Sequence, residues 1–542
     1  MSGRTKRRQR GTSARLRRVA ANAAPSAPAP RRRPVLSGRA LKDTLDFTPA
    51  EMRRLGHRTV DIVARHLAGL RRSPVGRTGT RPVLRALLEE PAPRIGRPPL
   101  AVLSRCERDV LGHTLAAHHP RFFGFIPACA SFAGVLGDLL ASGFNVFAGT
   151  WLEASGPAQV EITVLDWFRG WLGMPAAAGG LMVSGGSAAN LTALVTARET
   201  LFKGRPHRER GRAVVYLSEQ GHSSVERAVR VIDIPTERTR SIPADGRFRM
   251  SLPDLAAAIA RDRRRGLRPF CVVANAGSTN TGSIDPLPAL ARLCRRERLW
   301  LHVDGAYGGF AVLTRRGRAL LRGIGRADSV TLDPHKWLYA PFEAGCLLVR
   351  DRRLLRRAFA IHPEYLQDVR TEAEEVNFCD YGIQLTRSFR ALKVWLALQM
   401  YGTRRIAAII ERSMEFARRA GERLAASPSF EILSPASLGA VCFRYVPRRL
   451  RAGRAGAARP GARGSGRLSA PHLRPAAEEA VLDRINEEIT RRVREAGRSF
   501  FSSTVLRGRY SLRLCVLGHR TLWPDVAGTL DEIESTGDRI ET

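Results

Sequence analysis

Short apolar runs alternate with helix-patterned stretches between about residue 131 and residue 400. Within each run the apolar residues are nearly continuous, which is typical of strands that are buried on both faces. Such strands, separated by helices, predict a mainly parallel sheet with helices on both sides. The predicted strands are "GLMVS", "AVVYLS", "FCVVANA", "LWLHVD", "SVTLD" and "AGCLLV".

Helical patterns flank this region on both sides. In "FTPAEMRRLGHRTVDIVARHLAGLRR", Thr48 suits an N-cap, Pro49 suits the first turn, and Glu51 completes a capping box. Beyond residue 400 the pattern predicts a long helix, a strand "GAVCFRYV", a helix near 476–497 and a strand "RYSLRLCVL". This mixture is typical of a smaller α+β domain.

Composition adds two segments that we do not expect to fold. We predict a disordered basic tail (1–42), an N-terminal helical segment (43–130), a large α/β domain (131–400) and a small C-terminal domain (401–542). The small domain contains a flexible basic insert (447–475). The tail and the insert are rich in arginine and contain no acidic residue.

The net charge of +39 raises the question of nucleic-acid binding. Much of this charge lies in the tail and the insert or is spread along helical faces, so we expect no specific nucleic-acid partner. No apolar run approaches the roughly 20 residues of a membrane-spanning helix, and no membrane association is expected. The eight cysteines form no CxxC pair, which favours a reducing cytoplasm without a metal site.

Lysine is rare in this chain, and one lysine stands in an unusual place. The 89 lysines and arginines include lysine only at positions 6, 42, 203, 336 and 393. Lys336 follows a predicted strand in "SVTLDPHKW". A desolvated lysine amine can condense with a carbonyl group, which an arginine cannot do.

Other polar residues also follow predicted strands. "LMVSGGSAANLTAL" passes through glycines and Ser187 into a helix, as phosphate-binding turns do, although such turns are often glycine-rich for steric reasons alone. His222 follows "AVVYLS" and could simply cap a helix. Asp304 ends "LWLHVD", and a carboxylate there needs a partner. Pyridoxal phosphate accounts for all of these features, since it needs a phosphate site, a lysine, a carboxylate at its ring nitrogen and a stacking partner.

These segments resemble the pyridoxal-phosphate-dependent group II amino-acid decarboxylases, which include the aromatic-L-amino-acid, glutamate and histidine decarboxylases. The resemblance covers about residues 45–535 and is carried by "HPRFFGFIP", "SGGSAANLTALVTAR", "LSEQGHSSVERA", "WLHVDGAYGG", "DPHKWL" and "SFRALKVWLALQMYG". It implies fold type I, a homodimer with active sites at the subunit interface, and bound pyridoxal phosphate.

The resemblance also implies roles for individual residues. Lys336 would hold the cofactor covalently, Asp304 would pair with its ring nitrogen, and His222 would stack on its ring. The remaining cofactor contacts implied by the resemblance are Gly186, Ser187, Thr279, Ala306, Asp333 and His335. Asp333 is the unusual member of this set, since relatives have asparagine or serine there and a carboxylate repels a phosphate.

The implied substrate pocket comes from "FFGFIPA", with Phe125, Ile126 and Ala128 as lining residues, although apolar residues of this kind can also be plain core. The favoured activity is decarboxylation of an aromatic L-amino acid to the amine and carbon dioxide. The alternatives are an aldehyde synthase that couples decarboxylation to oxidative deamination, a decarboxylase of an acidic amino acid, and a basic nucleic-acid-binding protein on an enzyme scaffold.

The segment 362–393 decides between amine and aldehyde, because in the family a tyrosine on this loop returns a proton to Cα. Alignment backwards from "RSFRALK" places Phe378 at that position, whereas Tyr381 is three residues away. Because the loop is shorter than in the family, Tyr381 could reach the same place, and we predict Tyr381 as the proton donor and the amine as the product. If Phe378 occupies the site instead, the wild type should itself make aldehyde and hydrogen peroxide.

Overall fold

A computed structural model describes residues 44–205, 207–361, 364, 374–451 and 474–541. The predicted basic tail and most of the predicted basic insert lie outside the described residues. The described chain divides into two compact units, one made of residues 44–66 and 93–105, and the other of the remaining residues from 67 onward.

The first unit contains the start of the predicted N-terminal helix, Pro49–Gly69. The backbone N–H of Thr48 donates to a side-chain oxygen of Glu51 at 3.0 Å, and the N–H of Glu51 donates to Oγ1 of Thr48 at 3.2 Å. Each residue thus satisfies a backbone donor of the other, as a capping box does. The predicted start of this helix is confirmed.

Helices lie before, between and after the strands along the described chain. The α-helices of the described residues are Pro49–Gly69, Arg81–Leu88, Pro99–Arg105, Phe132–Gly143, Trp151–Leu172, Gly186–Phe202, His207–Arg210, Ser223–Val231, Leu252–Arg264, Leu287–Arg296, Arg315–Leu320, Pro334–Trp337, Arg353–Phe359, Arg390–Ala426, Ala476–Ala496 and Trp523–Glu541.

The strands form two sheets. In chain order they are β1 (Phe122–Phe123), β2 (Gly179–Val183), β3 (Ala213–Ser218), β4 (Thr239–Ile242), β5 (Arg268–Asn275), β6 (Trp300–Asp304), β7 (Ser329–Leu332), β8 (Gly345–Val349), β9 (Phe430–Ser437), β10 (Ala440–Tyr445), β11 (Phe500–Leu506) and β12 (Arg509–Cys515).

The larger sheet has seven strands in the order β2-β8-β7-β6-β5-β3-β4. Its strands pair in parallel except for β8, which is antiparallel to both β2 and β7. All six residues of β3 and all five of β6 are buried, which fits their mostly apolar sequences, and the polar exceptions in β6 are His302 and Asp304. The predicted α/β fold with a mainly parallel sheet is confirmed.

The smaller sheet has the order β1-β11-β12-β10-β9 and is antiparallel except for the β1–β11 pair. The sequence pattern predicted β10 and β12 but not β1, β9 or β11. β1 is only two residues long, and it joins this sheet by pairing with Phe500 and Phe501 although it precedes them by more than 370 positions. Such a pairing has no local signal in the sequence.

Candidate active site

One cavity of about 330 Å³ lies at the carboxyl ends of the parallel strands of the larger sheet. Nine residues predicted from the sequence to contact a cofactor line it together: Gly186, Ser187, His222, Thr279, Asp304, Ala306, Asp333, His335 and Lys336. They come from the segments that follow β2, β3, β5, β6 and β7. In a parallel arrangement these strand ends lie at one edge of the sheet, and ligand sites form there.

Lys336 lies in the short helix Pro334–Trp337, immediately after β7. Its Nζ is 2.9 Å from Oδ2 of Asp333, and its side chain is 20% exposed. His335 Nε2 is 3.5 Å from the same carboxylate oxygen. Burial lowers the pKa of His335, while the Asp333 carboxylate acts in the opposite direction. The lysine amine is thus held at the cavity by a buried acid.

Only one of the two carboxylate oxygens of Asp333 has a partner among the described residues. Its Oδ1 is buried and has no hydrogen-bond partner among the described residues. A buried carboxylate oxygen without a donor is unfavourable, so this end of the cavity has an unmet polar requirement.

Asp304 is fully partnered by comparison. It is the last residue of β6 and is 9% exposed. Its Oδ1 accepts from the backbone N–H of Ala306 at 3.1 Å, and its Oδ2 accepts from Nδ2 of Asn190 at 2.9 Å. Two donors on separate oxygens fix the direction of this carboxylate.

His222 caps a helix and also lines the cavity. It is the N-cap of Ser223–Val231, where the backbone N–H of Ser224 donates to its Nδ1 at 3.2 Å. The same nitrogen is 2.8 Å from Oγ of Ser224. Capping and a role in the cavity, which the sequence presents as alternatives, are therefore compatible, because capping uses only Nδ1.

Gly186 lies beside Asp333 at the edge of the cavity. Gly186 begins the helix Gly186–Phe202. A Cβ at Gly186 would lie 3.1 Å from the Cβ of Ala306 and 3.2 Å from Oδ2 of Asp333, so a side chain here would intrude on the cavity. The exposed backbone donors of a helix start together with Ser187 suit an anion. An anion site, a lysine and a separate carboxylate in one cavity fit the functional groups of pyridoxal phosphate.

Four predicted residues do not line this cavity. Tyr381 packs partly buried on the main core, with its ring 5.8 Å from that of buried Phe378, and burial raises its pKa. Phe125 is 60% exposed, Ala128 is buried, and Ile126 packs against the main core. These four residues are therefore outside the set that lines the cavity of the described chain, and their roles stay predictions.

Several lining residues were absent from the sequence prediction. Asn190, Ser224, Tyr307 and Glu343 all line the cavity. Asn190 is four residues into the helix after the glycine turn, so it faces the same side as the first turn; helical spacing is a signal that could have found it. No comparable signal marks Glu343, which reaches the cavity through the turn before β8.

The fold and the cavity define an α/β enzyme that binds a phosphorylated carbonyl cofactor through a lysine. Comparisons with known proteins agree. Residues 82–446 match the family described as "Pyridoxal-dependent decarboxylase conserved domain". The chain therefore belongs to the pyridoxal-dependent decarboxylases, and it is a carboxy-lyase that uses pyridoxal 5'-phosphate.

Individual relatives cover nearly the whole chain. An aromatic-L-amino-acid decarboxylase of Bacillus atrophaeus is 37% identical over 92% of this chain and 98% of its own. A phenylacetaldehyde synthase of Petunia hybrida is 29% identical over 91% of this chain and 95% of its own. A crystal structure of Oryza sativa TDC with PLP and tryptamine superposes with a TM-score of 0.82 at 28% identity, covering 92% of this chain and 100% of that one.

Proposed function

We propose that this protein decarboxylates an aromatic L-amino acid to the corresponding amine and carbon dioxide. The observation that supports this most directly is the convergence of Lys336, Asp304 and His222 on one cavity. The similarity to an aromatic-L-amino-acid decarboxylase supports the aromatic substrate class.

In this proposal the cofactor is held at both ends of the cavity. Lys336 would hold the cofactor through its aldehyde carbon, and Asp304 would pair with its ring nitrogen. When bound, pyridoxal phosphate supplies an electron-withdrawing ring that accepts the electron pair left at Cα as carbon dioxide departs. His222 would stack on one face of the ring and help orient the departing carboxylate, and Ala306 would pack on the ring.

The phosphate end is assigned to the helix start and its neighbours. Gly186 and Ser187 provide donors at the start of a 17-residue helix, whose positive dipole end favours an anion. Thr279 and His335 line the same cavity, with Thr279 assigned to the ring hydroxyl. Asp333 also lines this end of the cavity, and its carboxylate would repel the phosphate.

Glu343 and Arg390 form an ion pair at the cavity. Glu343 lines the cavity and its side chain is 55% exposed. One of its oxygens, Oε1, is 3.0 Å from a guanidinium nitrogen of Arg390, which leaves Oε2 outside that contact. Because Arg390 compensates the charge of Glu343, and its Nε is buried without a partner among the described residues, this pair does not argue against a second substrate carboxylate.

Phe125, Ile126 and Ala128 stay predictions as substrate contacts. Their segment is tied to the cavity wall, because the guanidinium of Arg513 donates to the carbonyl of Phe125 at 2.6 Å and to that of Asn280 at 2.9 Å. Asn280 directly follows the cavity-lining Thr279.

A panel of amino acids tests the proposed function. Purified protein loaded with pyridoxal phosphate is offered tryptophan, tyrosine, phenylalanine, histidine, glutamate and cysteine sulfinate, with carbon dioxide and organic product both measured. We expect turnover of an aromatic substrate and little of the acidic ones. Turnover of glutamate above that of every aromatic substrate would contradict the proposed substrate class.

We further propose that the protein is a cytoplasmic homodimer. Large apolar side chains stay exposed in the chain alone, including Leu139, Phe144, Leu152 and Ile383, of which Phe144 is 79% exposed. Apolar surface of this kind marks interfaces. All eight cysteines are free thiols, which suits a reducing compartment. Among the described helices, none is long and apolar enough to span a bilayer.

Sedimentation analysis tests the dimer. Wild type should sediment at twice the mass of a 59.7 kDa chain, and Phe144→Arg should shift the equilibrium toward monomer because it places a charge in the interface. A monomeric wild type that is fully active would exclude the proposal.

An aldehyde synthase is the second candidate, and the position of Tyr381 favours testing it. In that reaction oxygen and water are consumed, and aldehyde, carbon dioxide, ammonia and hydrogen peroxide are formed in place of the amine. Similarity to a phenylacetaldehyde synthase is consistent with it. Tyr381 packs on the core instead of lining the cavity, whereas Tyr365, the other tyrosine of the segment 362–393, lies outside the described residues.

The ratio of amine to aldehyde, measured in air, separates the two candidates. Amine from wild type supports the decarboxylase, and aldehyde with peroxide supports the synthase. If Tyr381 is the proton donor, Tyr381→Phe should divert product to aldehyde while Tyr365→Phe should not. The reverse pattern would transfer the role of proton donor to Tyr365.

A further inference from the structure

A chain of hydrogen-bonded, mostly buried polar side chains lies along one wall of the cavity and connects Asp304 with His222. Its central member is Asn190, which is 1% exposed. The amide oxygen of Asn190 contacts Oγ1 of Thr331 at 2.7 Å and Nε2 of His302 at 3.0 Å. Its amide nitrogen contacts Oδ2 of Asp304 and Oγ of Ser224, both at 2.9 Å. All four hydrogen-bonding positions of this amide are therefore used.

The direction of each hydrogen bond follows from groups that can only donate or only accept. A carboxylate only accepts, so Asn190 must turn its nitrogen toward Asp304 and its oxygen toward His302. Nε2 of His302 then has to carry the ring proton. His302 is fully buried, and burial lowers its pKa to about 4 although Asp304 acts against this, so the ring is neutral and its Nδ1 accepts.

The far end of the chain agrees with this assignment. Nδ1 of His302 is 2.8 Å from Oγ of Ser329, which also lies 2.8 Å from Nε1 of Trp300. An indole N–H only donates, so Ser329 accepts from Trp300 and is free to donate to His302. Every proton between Trp300 and Asp304 thus has one consistent position.

The same reasoning continues toward the cavity. Because Ser224 Oγ accepts from Asn190, its own proton is available to Nδ1 of His222 at 2.8 Å. The backbone N–H of Ser224 also donates to this nitrogen, at 3.2 Å. Nδ1 of His222 is therefore an acceptor, and a neutral His222 carries its proton on Nε2.

We propose that Asn190 is a positioning residue that sets the hydrogen-bonding state of both Asp304 and His222. Its amide donates a hydrogen bond to Asp304 and orients the hydroxyl of Ser224 to donate to Nδ1 of His222, so that Nε2–H is the group offered to a ligand. An N–H donor there can bind a substrate carboxylate. This inference deepens the proposed function and rests on the roles given there to Asp304 and His222.

The tautomer of His222 can be measured without any substrate or turnover. Nitrogen-15 NMR of histidine-labelled protein distinguishes a protonated ring nitrogen from an unprotonated one, and the His222 signals are assigned by their loss in His222→Gln. We expect protonated Nε2 and unprotonated Nδ1 in wild type. A His222 protonated on Nδ1 at neutral pH would overturn the proposal even if the enzyme is active.

Variants then test whether Asn190 sets these states. Asn190→Leu has a similar shape but no hydrogen bonds, so Asp304 loses a donor and becomes a stronger base. With cofactor labelled at its ring nitrogen, we expect the nitrogen-15 signal to move toward the unprotonated form, and kcat to fall by about tenfold or more, as for the loss of one hydrogen bond to a charged group. Thr192→Val is the matched control, since Thr192 is buried on the same helix and donates only to the carbonyl of Ala188.

Ser224→Ala provides a second route if Asn190→Leu does not fold. It removes the hydroxyl that links Asn190 to His222 but leaves the donor to Asp304, so the His222 signals should change while the cofactor signal stays near that of wild type. If neither variant changes its expected signal relative to Thr192→Val, Asn190 is only structural and the proposal is wrong. Absence of decarboxylation would instead refute the proposed function and leave the measured tautomer unaffected.

Discussion

The two ends of the cavity hold their carboxylates in different ways. At one end, both oxygens of Asp304 accept hydrogen bonds, and Asn190 behind it has a partner for each of its amide atoms. At the other end, Asp333 is paired with Lys336 through Oδ2, while its Oδ1 has no partner among the described residues.

This difference separates a preorganised end from one that must change when a ligand arrives. The contacts of Asp304 come from protein groups that no ligand displaces, so they cost no reorganisation on binding. The contact of Asp333 is with the lysine that is proposed to bond to the cofactor. Once Lys336 is engaged, Asp333 loses this contact and needs another partner.

Replacing Lys336 should have the largest effect on activity, because it removes both the partner of Asp333 and the proposed covalent attachment point of the cofactor. We expect Lys336→Ala to lose activity by about a thousandfold or more, as removal of a chemically reacting group does. Borohydride should link the cofactor covalently to the peptide that contains Lys336 in wild type and in Lys203→Met, but not in Lys336→Ala. Lys203→Met is the control, since Lys203 is exposed and donates only to the carbonyl of Arg357; labelling at any other lysine would contradict the assignment.

Asp304→Asn tests the preorganised end. An amide cannot keep the ring nitrogen protonated, and its NH₂ group can face the donating amide of Asn190. We expect cofactor to remain bound while kcat falls by about a hundredfold, as for the loss of one preorganised electrostatic group. The measurements are cofactor absorbance and steady-state rates. Near-normal turnover would show that Asp304 does not serve the ring nitrogen.

Asp333→Asn should have a smaller effect and in the opposite direction. It removes a negative charge from the phosphate end and adds a donor for that phosphate, so we expect the Kd for pyridoxal phosphate to be unchanged or lower by up to about tenfold. Fluorescence titration of cofactor-free protein measures this. Asp351→Asn is a control at an acid paired with Arg353. Markedly weaker binding in Asp333→Asn alone would mean that the carboxylate is required.

Ser187→Ala should have the smallest effect. Ser187 is exposed at the start of its helix, and one neutral hydrogen bond contributes about 1 kcal/mol, so cofactor affinity should fall by about fivefold with kcat unchanged. Ser223→Ala, at another exposed helix start, is the matched control. An equal loss in both variants would show that the effect is not specific to the phosphate end.

The sequence, together with the family it resembles, determined the fold class and nine of the residues that line the cavity. Apolar runs separated by helices specify a parallel sheet, and the residues that follow parallel strands meet at one edge for geometric reasons. Lys336, Asp304 and His222 could therefore be placed together without any knowledge of side-chain contacts. Their chemical roles stay predictions until they are tested.

Only the tertiary structure decided how these residues are supported. The register of β6 with β7 places His302 beside Ser329 and Asp304 beside Thr331, and this register creates the chain of hydrogen bonds that meets Asn190. Tyr381 is a residue whose environment the sequence did not predict. Its separation from "RSFRALK" along the chain did not reveal that it packs on the core. Hydrogen bonds and packing between distant segments depend on positions to within an ångström, and local sequence patterns do not specify positions at that precision.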